Sequence, residues 1–166
     1  LLAGRAALAA GAGRVYVCML DAAAPALDPL WPELMLRPGP WLDAATMRNA
    51  TVVCGCGGGD AVRETLPLLL ARAPRLVLDA DALNAVAADS GLQALLAARE
   101  SRVGQATVLT PHPLEAARLL KISAHDVQRD RVGAARTLAG DLRALVVLKG
   151  GVQFRADQDG EHRNVE

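Results

Sequence analysis

Residues 107–120, with the sequence TVLTPHPLEAARLL, decide how this chain folds. The run at 107–109 favours a β-strand, and Pro111 and Pro113 fix the backbone on both sides of His112. Pro113 suits the first position of a helix, where its missing N–H costs nothing. The apolar residues that follow have helical spacing. The stretch therefore predicts a strand, a sharp turn that holds His112, and a helix.

The position of His112 makes it a candidate binding residue. In an open α/β sheet, ligands bind where strands end and helices begin, and a helix N-terminus favours an anionic group. His112 could donate a hydrogen bond to a phosphate or an amide of a ligand, but a structural role for a lone histidine is equally compatible with the pattern. Glu115, in the first helical turn, is explained by the helix dipole alone.

Composition excludes several classes of function. The 166 residues are predicted to form a single domain, residues 1–166, with a real core. The net charge is zero, and the aromatic residues are two Trp, one Tyr and one Phe, so neither nucleic acid nor a membrane is expected as a partner. No apolar run approaches the roughly 20 residues that span a bilayer. Three cysteines without a CxxC pair favour reduced thiols and a cytoplasmic location.

Strands and helices alternate along most of the chain, which predicts an α/β fold with a mainly parallel sheet and helices on both faces. Strands are expected at 14–19, 51–54, 75–78, 107–109 and 144–148. Residues 21–40 contain five prolines and no clean periodicity, so a loop is expected there. Residues 152–155 and 162–165 are predicted to pair as a hairpin across 157–160.

Capping residues predict two helix boundaries. Asp60 is expected to cap a helix that runs to about residue 73. Ser123 is expected to be the N-cap of a helix over roughly 126–139, which Gly140 ends. The solvated face of that helix is expected to carry Arg129, Arg131 and Arg136.

A glycine-rich loop, residues 55–59 (GCGGG), follows one predicted strand. Glycines let backbone N–H groups come close to a phosphate or a ring. The loop is neither a Rossmann fingerprint nor a Walker A sequence, because Asp60 takes the third glycine position and no GK[ST] follows. A tight strand-to-helix turn is the structural alternative.

Two further strand ends carry charged residues, and the carboxyl ends of parallel strands lie on one edge of a sheet. Residues 79–84 read DADALN, and two carboxylates with an amide can bind hydroxyls, or magnesium through water. Helix capping by Asp79 or Asp81 is the alternative. Lys149 precedes two glycines, a setting that suits nucleotide phosphates, although an exposed turn lysine is equally compatible. No residue is assigned as a direct metal ligand.

Taken in order, these motifs resemble the NAD(P)H-hydrate dehydratases, repair enzymes of the ribokinase-like superfamily. The Thr-Pro-His-Pro-x-Glu-x-x-Arg-Leu pattern is similar to the family signature, and residues 79–84 match a family motif in every position. The family loop Gly-Pro-Gly-Leu-Gly is matched at Gly55, Gly57 and Gly59, and an early Ala-Leu-x-x-Gly-Ala-Gly segment is matched at residues 7–13. The chain departs from the family at Cys56, Gly58, Leu114 and Gln153.

The resemblance implies a ribokinase-like domain that returns hydrated NADH or NADPH to NADH or NADPH, at the expense of ADP or ATP and with Mg²⁺. Implied substrate contacts are Gly55, Gly57, Gly59, Asp79, Asp81, Asn84 and His112. Implied adenine-nucleotide contacts are Lys149, Gly150, Gly151, Val152 and Gln153. The resemblance also implies a homo-oligomer for the full-length protein and leaves open an epimerase domain fused upstream. The Ala- and Arg-rich composition is compatible with a high-GC bacterium. Because the resemblance implies ADP for bacterial members and ATP for eukaryotic ones, it is also compatible with ADP as the nucleotide.

No catalytic residue is assigned. In the family, the catalytic Asp belongs to a Gly-x-Gly-Asp motif after the Lys-Gly turn, whereas the similar letters at 57–60 follow an early strand. The fold is therefore expected to be incomplete at both ends, and the 166-residue piece is expected to be inactive alone. Two rival interpretations stay open: a ribokinase-like kinase of a hydroxymethylpyrimidine or a sugar, and a non-catalytic adenine-nucleotide-binding paralogue.

Overall fold

A computed structural model of the protein describes residues 1–39, 43–150, 153–156 and 162–165. The chain divides into two compact units, Leu1–Asp43 and Ala44–Glu166. The first unit contains helix α1 (Leu2–Ala9) and two strands, β1 (Tyr16–Met19) and β2 (Met35–Pro38), which pair in parallel.

Strand β2 shows that the predicted loop at 21–40 is wrong over its last residues. The prolines correctly disfavour a helix there, but β2 obtains its hydrogen bonds from β1, with Tyr16 opposite Met35. A strand that is stabilised by a distant partner leaves little local signal in a proline-rich stretch.

The second unit alternates helices and strands, and none of the described helices is long and apolar enough to cross a membrane. Its elements in chain order are α2 (Ala44–Asn49), β3 (Thr51–Cys54), α3 (Val62–Arg72), β4 (Arg75–Leu78), α4 (Ala80–Ala88), α5 (Ser90–Ala97), β5 (Ala106–Leu109), α6 (Pro113–Leu120), α7 (Ala124–Arg129), α8 (Arg131–Leu142), β6 (Leu145–Leu148), β7 (Gln153–Ala156) and β8 (His162–Val165).

The sheet of this unit has the order β3-β4-β5-β6-β7-β8. Strands β3 to β6 are parallel, and β6, β7 and β8 pair in antiparallel fashion. The predicted α/β fold with a mainly parallel sheet is confirmed, and so is the final hairpin. The residues expected to connect that hairpin, 157–160, lie outside the described part of the chain.

The core lies where the sheet meets its helices. In β4 and β6, alternate residues are buried, whereas their neighbours are exposed or only partly buried, as the two-residue repeat of a strand requires. Each fully buried Leu contributes about 1.5–3 kcal/mol relative to an exposed one. The buried strand residues include Leu76, Leu78, Leu109, Val146 and Leu148, and the buried helix residues include Leu66, Leu70, Leu83 and Leu138.

The structure corrects two predicted helix boundaries. Asp60 does not cap α3 with its side chain but lies in a single 3₁₀ turn, Gly59–Ala61, ahead of it. Ser123 is an N-cap as predicted, but its helix ends at Arg129, because the side chain of Asp130 accepts the Gly133 N–H and starts a second helix.

Gly140 does not end the second of these helices. Helix α8 continues to Leu142 and ends at Arg143, which has the left-handed conformation. A glycine inside a helix is a tolerated cost of about 1 kcal/mol, so its presence is a weaker stop signal than the prediction assumed.

Candidate functional site

The glycine-rich loop and the acidic turn at residues 79–81 are interlocked by hydrogen bonds. The Asp79 N–H donates to the Cys54 carbonyl (3.0 Å), and the Asp81 N–H donates to the Gly55 carbonyl (3.2 Å). In return, the Gly59 N–H donates to Oδ2 of Asp81 (2.8 Å). The ends of β3 and β4 therefore form one connected surface at the carboxyl edge of the sheet.

The three predicted binding glycines have different surroundings. Gly55 has φ +112°, and a Cβ placed there would overlap the Asp79 carbonyl oxygen, so only glycine fits against the acidic turn. Gly57 and Gly59 also have positive φ, but a Cβ on either would meet no atom of the residues that the structure describes within 4 Å. Gly55 thus allows the loop to pack against the acidic turn, whereas the space over Gly57 and Gly59 is open to a ligand.

Lys149 joins this surface from the end of β6. Its N–H donates to the Pro111 carbonyl (2.8 Å), and its Nζ lies 2.5 Å from Oδ1 of Asp79. The side chains keep 36% and 25% of their exposure, so solvent or a ligand can reach both groups. An ammonium and a carboxylate therefore stand together where the ends of β4 and β6 approach each other.

Asp79 also starts helix α4, as the capping alternative proposed. Its Oδ1 accepts the N–H of Ala80, which has φ +46° although it is not a glycine. Strained conformations of this kind persist only where the surroundings impose them, and they concentrate at functional sites. The turn from β4 into α4 is held in such a conformation beside Lys149.

Arg131 lies against this region, so its prediction as part of a solvated face is wrong. Its guanidinium donates to the Leu148 carbonyl (3.2 Å) and the Lys149 carbonyl (2.9 Å). Arg136 is exposed, and Arg129 is exposed beside Asp126, as expected. Helical periodicity cannot reveal the contact because the two carbonyls, one at the end of β6 and one in the turn after it, lie 17 and 18 residues further along the chain.

The remaining predicted nucleotide contacts are only partly described. Gly150 is exposed and has φ +157°. Gly151 and Val152 lie outside the described residues, and Gln153 is described only as the first backbone position of β7.

His112 is the N-cap of α6. Its Nδ1 accepts the N–H groups of Leu114 (3.0 Å) and Glu115 (3.3 Å), and Oε2 of Glu115 accepts the His112 N–H (2.7 Å). Such reciprocal bonding is a capping box. Because Nδ1 acts as an acceptor, a proton on the neutral ring sits on Nε2, which lies 3.3 Å from Oε1 of Glu115.

The role of Glu115 was missed by the sequence interpretation. Its carboxylate is almost fully buried and closes the capping box, which is more than a favourable position in the helix dipole. The acid at the third helical position was a usable signal, but histidine is not among the usual capping residues.

Among the residues that the structure describes, Asn84 bonds to neither the glycine loop nor Lys149. It lies one turn into α4, and its Oδ1 accepts a hydrogen bond from Nη1 of Arg118 on α6 (2.7 Å). The structure therefore holds Asn84 through the neighbouring helix rather than at the centre of the strand-end surface.

The electrostatics of this surface also act on Cys56 in the glycine loop. Burial of the thiol, followed by the nearby carboxylate of Asp79, raises the pKa of Cys56 above its usual value. Cys56 is therefore a protonated thiol at neutral pH. Within the described part of the chain, no three His, Cys, Asp or Glu side chains gather in a way that could hold a metal ion.

A sequence model of the NAD(P)H-hydrate dehydratases matches residues 1–166. The chain belongs to this family. Among its relatives is the ADP-dependent (S)-NAD(P)H-hydrate dehydratase of Neisseria meningitidis serogroup B, 38% identical over 165 residues. A bifunctional NAD(P)H-hydrate repair enzyme of Gloeobacter violaceus is 37% identical over 162 residues.

These alignments cover 97% and 91% of the chain but only 54% and 30% of the two relatives. The chain therefore spans about half the length of the Neisseria relative and a smaller share of the length of the Gloeobacter relative.

Solved structures confirm the ribokinase-like fold. The ADP/ATP-dependent NAD(P)H-hydrate dehydratase of Bacillus subtilis, co-crystallised with ATP and Mg²⁺ and soaked with CoA, matches with a TM-score of 0.70 and 25% identity. That match covers 98% of this chain and 58% of the other. A ribokinase-like protein of Enterococcus faecalis has the same TM-score at 19% identity, covering 98% of this chain and 56% of its own, and it shows the fold alone.

Proposed function

We propose that the chain is the substrate- and nucleotide-binding part of an enzyme that dehydrates (S)-NAD(P)H hydrate to NAD(P)H with ADP. The observation that carries the proposal is the Lys149–Asp79 contact, which puts an ammonium and a carboxylate beside an open glycine loop. Membership of the dehydratase family gives this surface its expected substrates.

Lys149 is the proposed phosphate-binding group for the adenine nucleotide. Its ammonium is partly exposed, and the neighbouring Gly150 is exposed as well. Gly151, Val152 and Gln153 complete the proposed nucleotide contacts. Hydrolysis of ADP and not ATP is the finer part of the proposal, and it rests on the named activity of the Neisseria relative.

Magnesium fits the residues present as a companion of the nucleotide. Mg²⁺ is commonly held by one or two carboxylates together with substrate phosphates, so it does not require a cluster of three protein ligands. Asp79 is the proposed carboxylate, and Asp81 contributes by holding the glycine loop. Bound there, Mg²⁺ would supply charge neutralisation for the phosphates.

The hydrated nicotinamide is proposed to lie over Gly57 and Gly59, where the backbone is open. His112 and Asn84 remain proposed contacts at its border. A hydroxyl is a poor leaving group, but a hydroxyl that has been phosphorylated leaves readily as phosphate. The need for a phosphoryl donor is the chemical reason for a nucleotide in the proposed reaction. No base is assigned among this chain's residues, and the homo-oligomer, the fused epimerase domain and the cytoplasmic location stay predictions.

The test is a recovery assay on the full-length protein with hydrated NADH, ADP and Mg²⁺, followed by the absorbance of the reduced nicotinamide. We expect NADH to return only when all three are present. Lys149→Met should lower the rate at least about tenfold, because the phosphate loses its ammonium. Lys121→Met is the matched control, since these two are the only lysines in the chain.

Two outcomes would contradict the proposal. The first is an absence of NADH recovery from a folded protein that does bind nucleotide, which would favour the non-catalytic paralogue. The second is phosphorylation of a hydroxymethylpyrimidine or a sugar with no recovery of NADH, which would favour the kinase.

A further inference from the structure

Arg131 connects the start of helix α8 to the turn that follows β6. Its Nη2 donates to the carbonyls of Leu148 and Lys149, and its Nη1 donates to Oε1 of Gln128 (2.8 Å). Lys149 and Gly150 are the proposed nucleotide contacts nearest to these bonds. We propose that Arg131 is a positioning residue, which sets the Lys149–Gly150 turn for the adenine nucleotide without touching the nucleotide itself.

The position of Gly150 indicates that the guanidinium and the turn fit closely. A Cβ added at Gly150 would lie only 2.6 Å from Nη2 and 2.8 Å from Nη1 of Arg131. The turn therefore packs directly on the planar guanidinium, which leaves no room for a side chain between them. A flat group with several donors suits such a contact better than the rounded ammonium of lysine.

Lys149 is then fixed from three directions. Its N–H is held by Pro111 after β5, its carbonyl is held by Arg131 of α8, and its Nζ is held by Asp79 after β4. Only the last of these contacts involves the group that would meet a phosphate. When a nucleotide takes the ammonium from Asp79, Arg131 and Pro111 still hold the backbone in place, so binding does not have to order the turn.

The inference rests on the proposed function, because that function supplies the nucleotide as ligand. One readout of its test, amide hydrogen exchange, does not depend on the nucleotide. In the full-length protein, Arg131→Ala is compared with Arg131→Lys and with Arg136→Ala, the exposed arginine of the same helix. We expect Arg131→Ala to weaken ADP binding about tenfold by calorimetry, which corresponds to the loss of a charge-assisted bond. We expect Arg131→Lys to be intermediate and Arg136→Ala to stay within twofold of the wild type.

Steady-state kinetics separate positioning from general stability. Arg131→Ala should raise the KM for ADP while leaving the KM for the hydrated substrate unchanged. A parallel change in both constants, or an ADP affinity within twofold of the wild type, would overturn the inference. If Arg131→Ala does not fold, Arg131→Lys carries the same comparison, with a KM for ADP above that of the control.

Amide hydrogen exchange provides the readout that needs no nucleotide. The Lys149 N–H, which is bonded to Pro111, should exchange faster in Arg131→Ala and Arg131→Lys than in Arg136→Ala. If the wild type binds no adenine nucleotide, the proposed function fails, but faster exchange would still support the part of the inference in which Arg131 holds the turn. Unchanged exchange would overturn that part.

Discussion

At the scale of single residues, His112 carries two roles that a simple truncation would confuse. It caps α6 through Nδ1, and it is a proposed contact for the hydrated substrate. Its side chain is 43% exposed, so a ligand can approach the ring. Asparagine is among the best capping residues, so it can keep the first role without the imidazole.

We therefore expect His112→Asn to unfold at nearly the wild-type denaturant concentration, and His112→Ala to lose about 1 kcal/mol through the missing cap. If His112 contacts the substrate, both variants should show the same raised KM for hydrated NADH. Equal KM values in His112→Asn and the wild type would leave His112 with the capping role alone. Urea unfolding and steady-state kinetics on the same preparations make the comparison.

The sequence predicted which residues meet at the strand ends but not all of their contacts. Parallel strands bring Gly55, Asp79 and Lys149 to one edge, and that prediction needed only the alternation of elements. The contact from Arg131 to the Lys149 carbonyl could not be predicted, because it depends on how far α7 and α8 bend at Asp130. The Asp81 bond to Gly59 depends in the same way on the left-handed turn at Ala80.

At the scale of elements, one buried arginine ties α3 to β5. Arg99 is 1% exposed. It donates to the carbonyls of Leu70 (2.7 Å) and Ala73 (2.8 Å) at the end of α3, and to the hydroxyl of Thr107 (2.7 Å) in β5. Burial lowers the pKa of Arg99, yet the bonds to the carbonyls satisfy the last turn of the helix.

Arg99→Met keeps an apolar side chain of similar length but leaves these carbonyls without a donor. We expect a loss of about 3 kcal/mol in the free energy of unfolding, measured by urea denaturation. Arg102→Met is the control, because Arg102 is exposed and its side chain donates to the Ala71 carbonyl at the surface. Its loss should stay below about 0.5 kcal/mol. Similar losses in both variants would show that the carbonyl contacts of Arg99 do not stabilise the junction.

The elements themselves were predicted where their signals are local. The strands of the second unit, the turn at Pro113 and the Ser123 cap all follow from residues within a few positions of one another. The errors have long-range or competing causes. Strand β2 depends on β1, and Asp130 breaks the helix predicted at 126–139 by capping a new one.

At the scale of the whole molecule, both units contain a carboxylate that loses its contacts in acid. Asp28 is buried in the first unit and accepts two bonds from Arg5, which hold its pKa below the usual 3.8. In the second unit, the Ser123 hydroxyl donates to Asp126 and lowers the pKa of that carboxyl. A lowered pKa in the folded state means that the stabilisation is present above the unfolded value and is lost as the pH falls.

We therefore expect the free energy of unfolding to fall between about pH 5 and pH 2, as acid titration with urea would measure. Asp126→Asn should flatten the part of this decline that belongs to the second unit, because its amide does not titrate. A stability that stays constant or rises over this interval would contradict the assignment of both carboxylates. A decline that is as steep in Asp126→Asn as in the wild type would contradict only the contribution assigned to Asp126.

The 2.5 Å contact between Lys149 and Asp79 has a thermodynamic consequence. Each group is the other's counter-ion, so an anion that captures the ammonium leaves a carboxylate in need of a cation. A divalent cation that captures the carboxylate releases the ammonium in the same way. Anion and cation then bind with positive cooperativity, and each must raise the affinity of the other by the same factor. In the proposed function, the pair would therefore couple the binding of nucleotide and metal in one equilibrium.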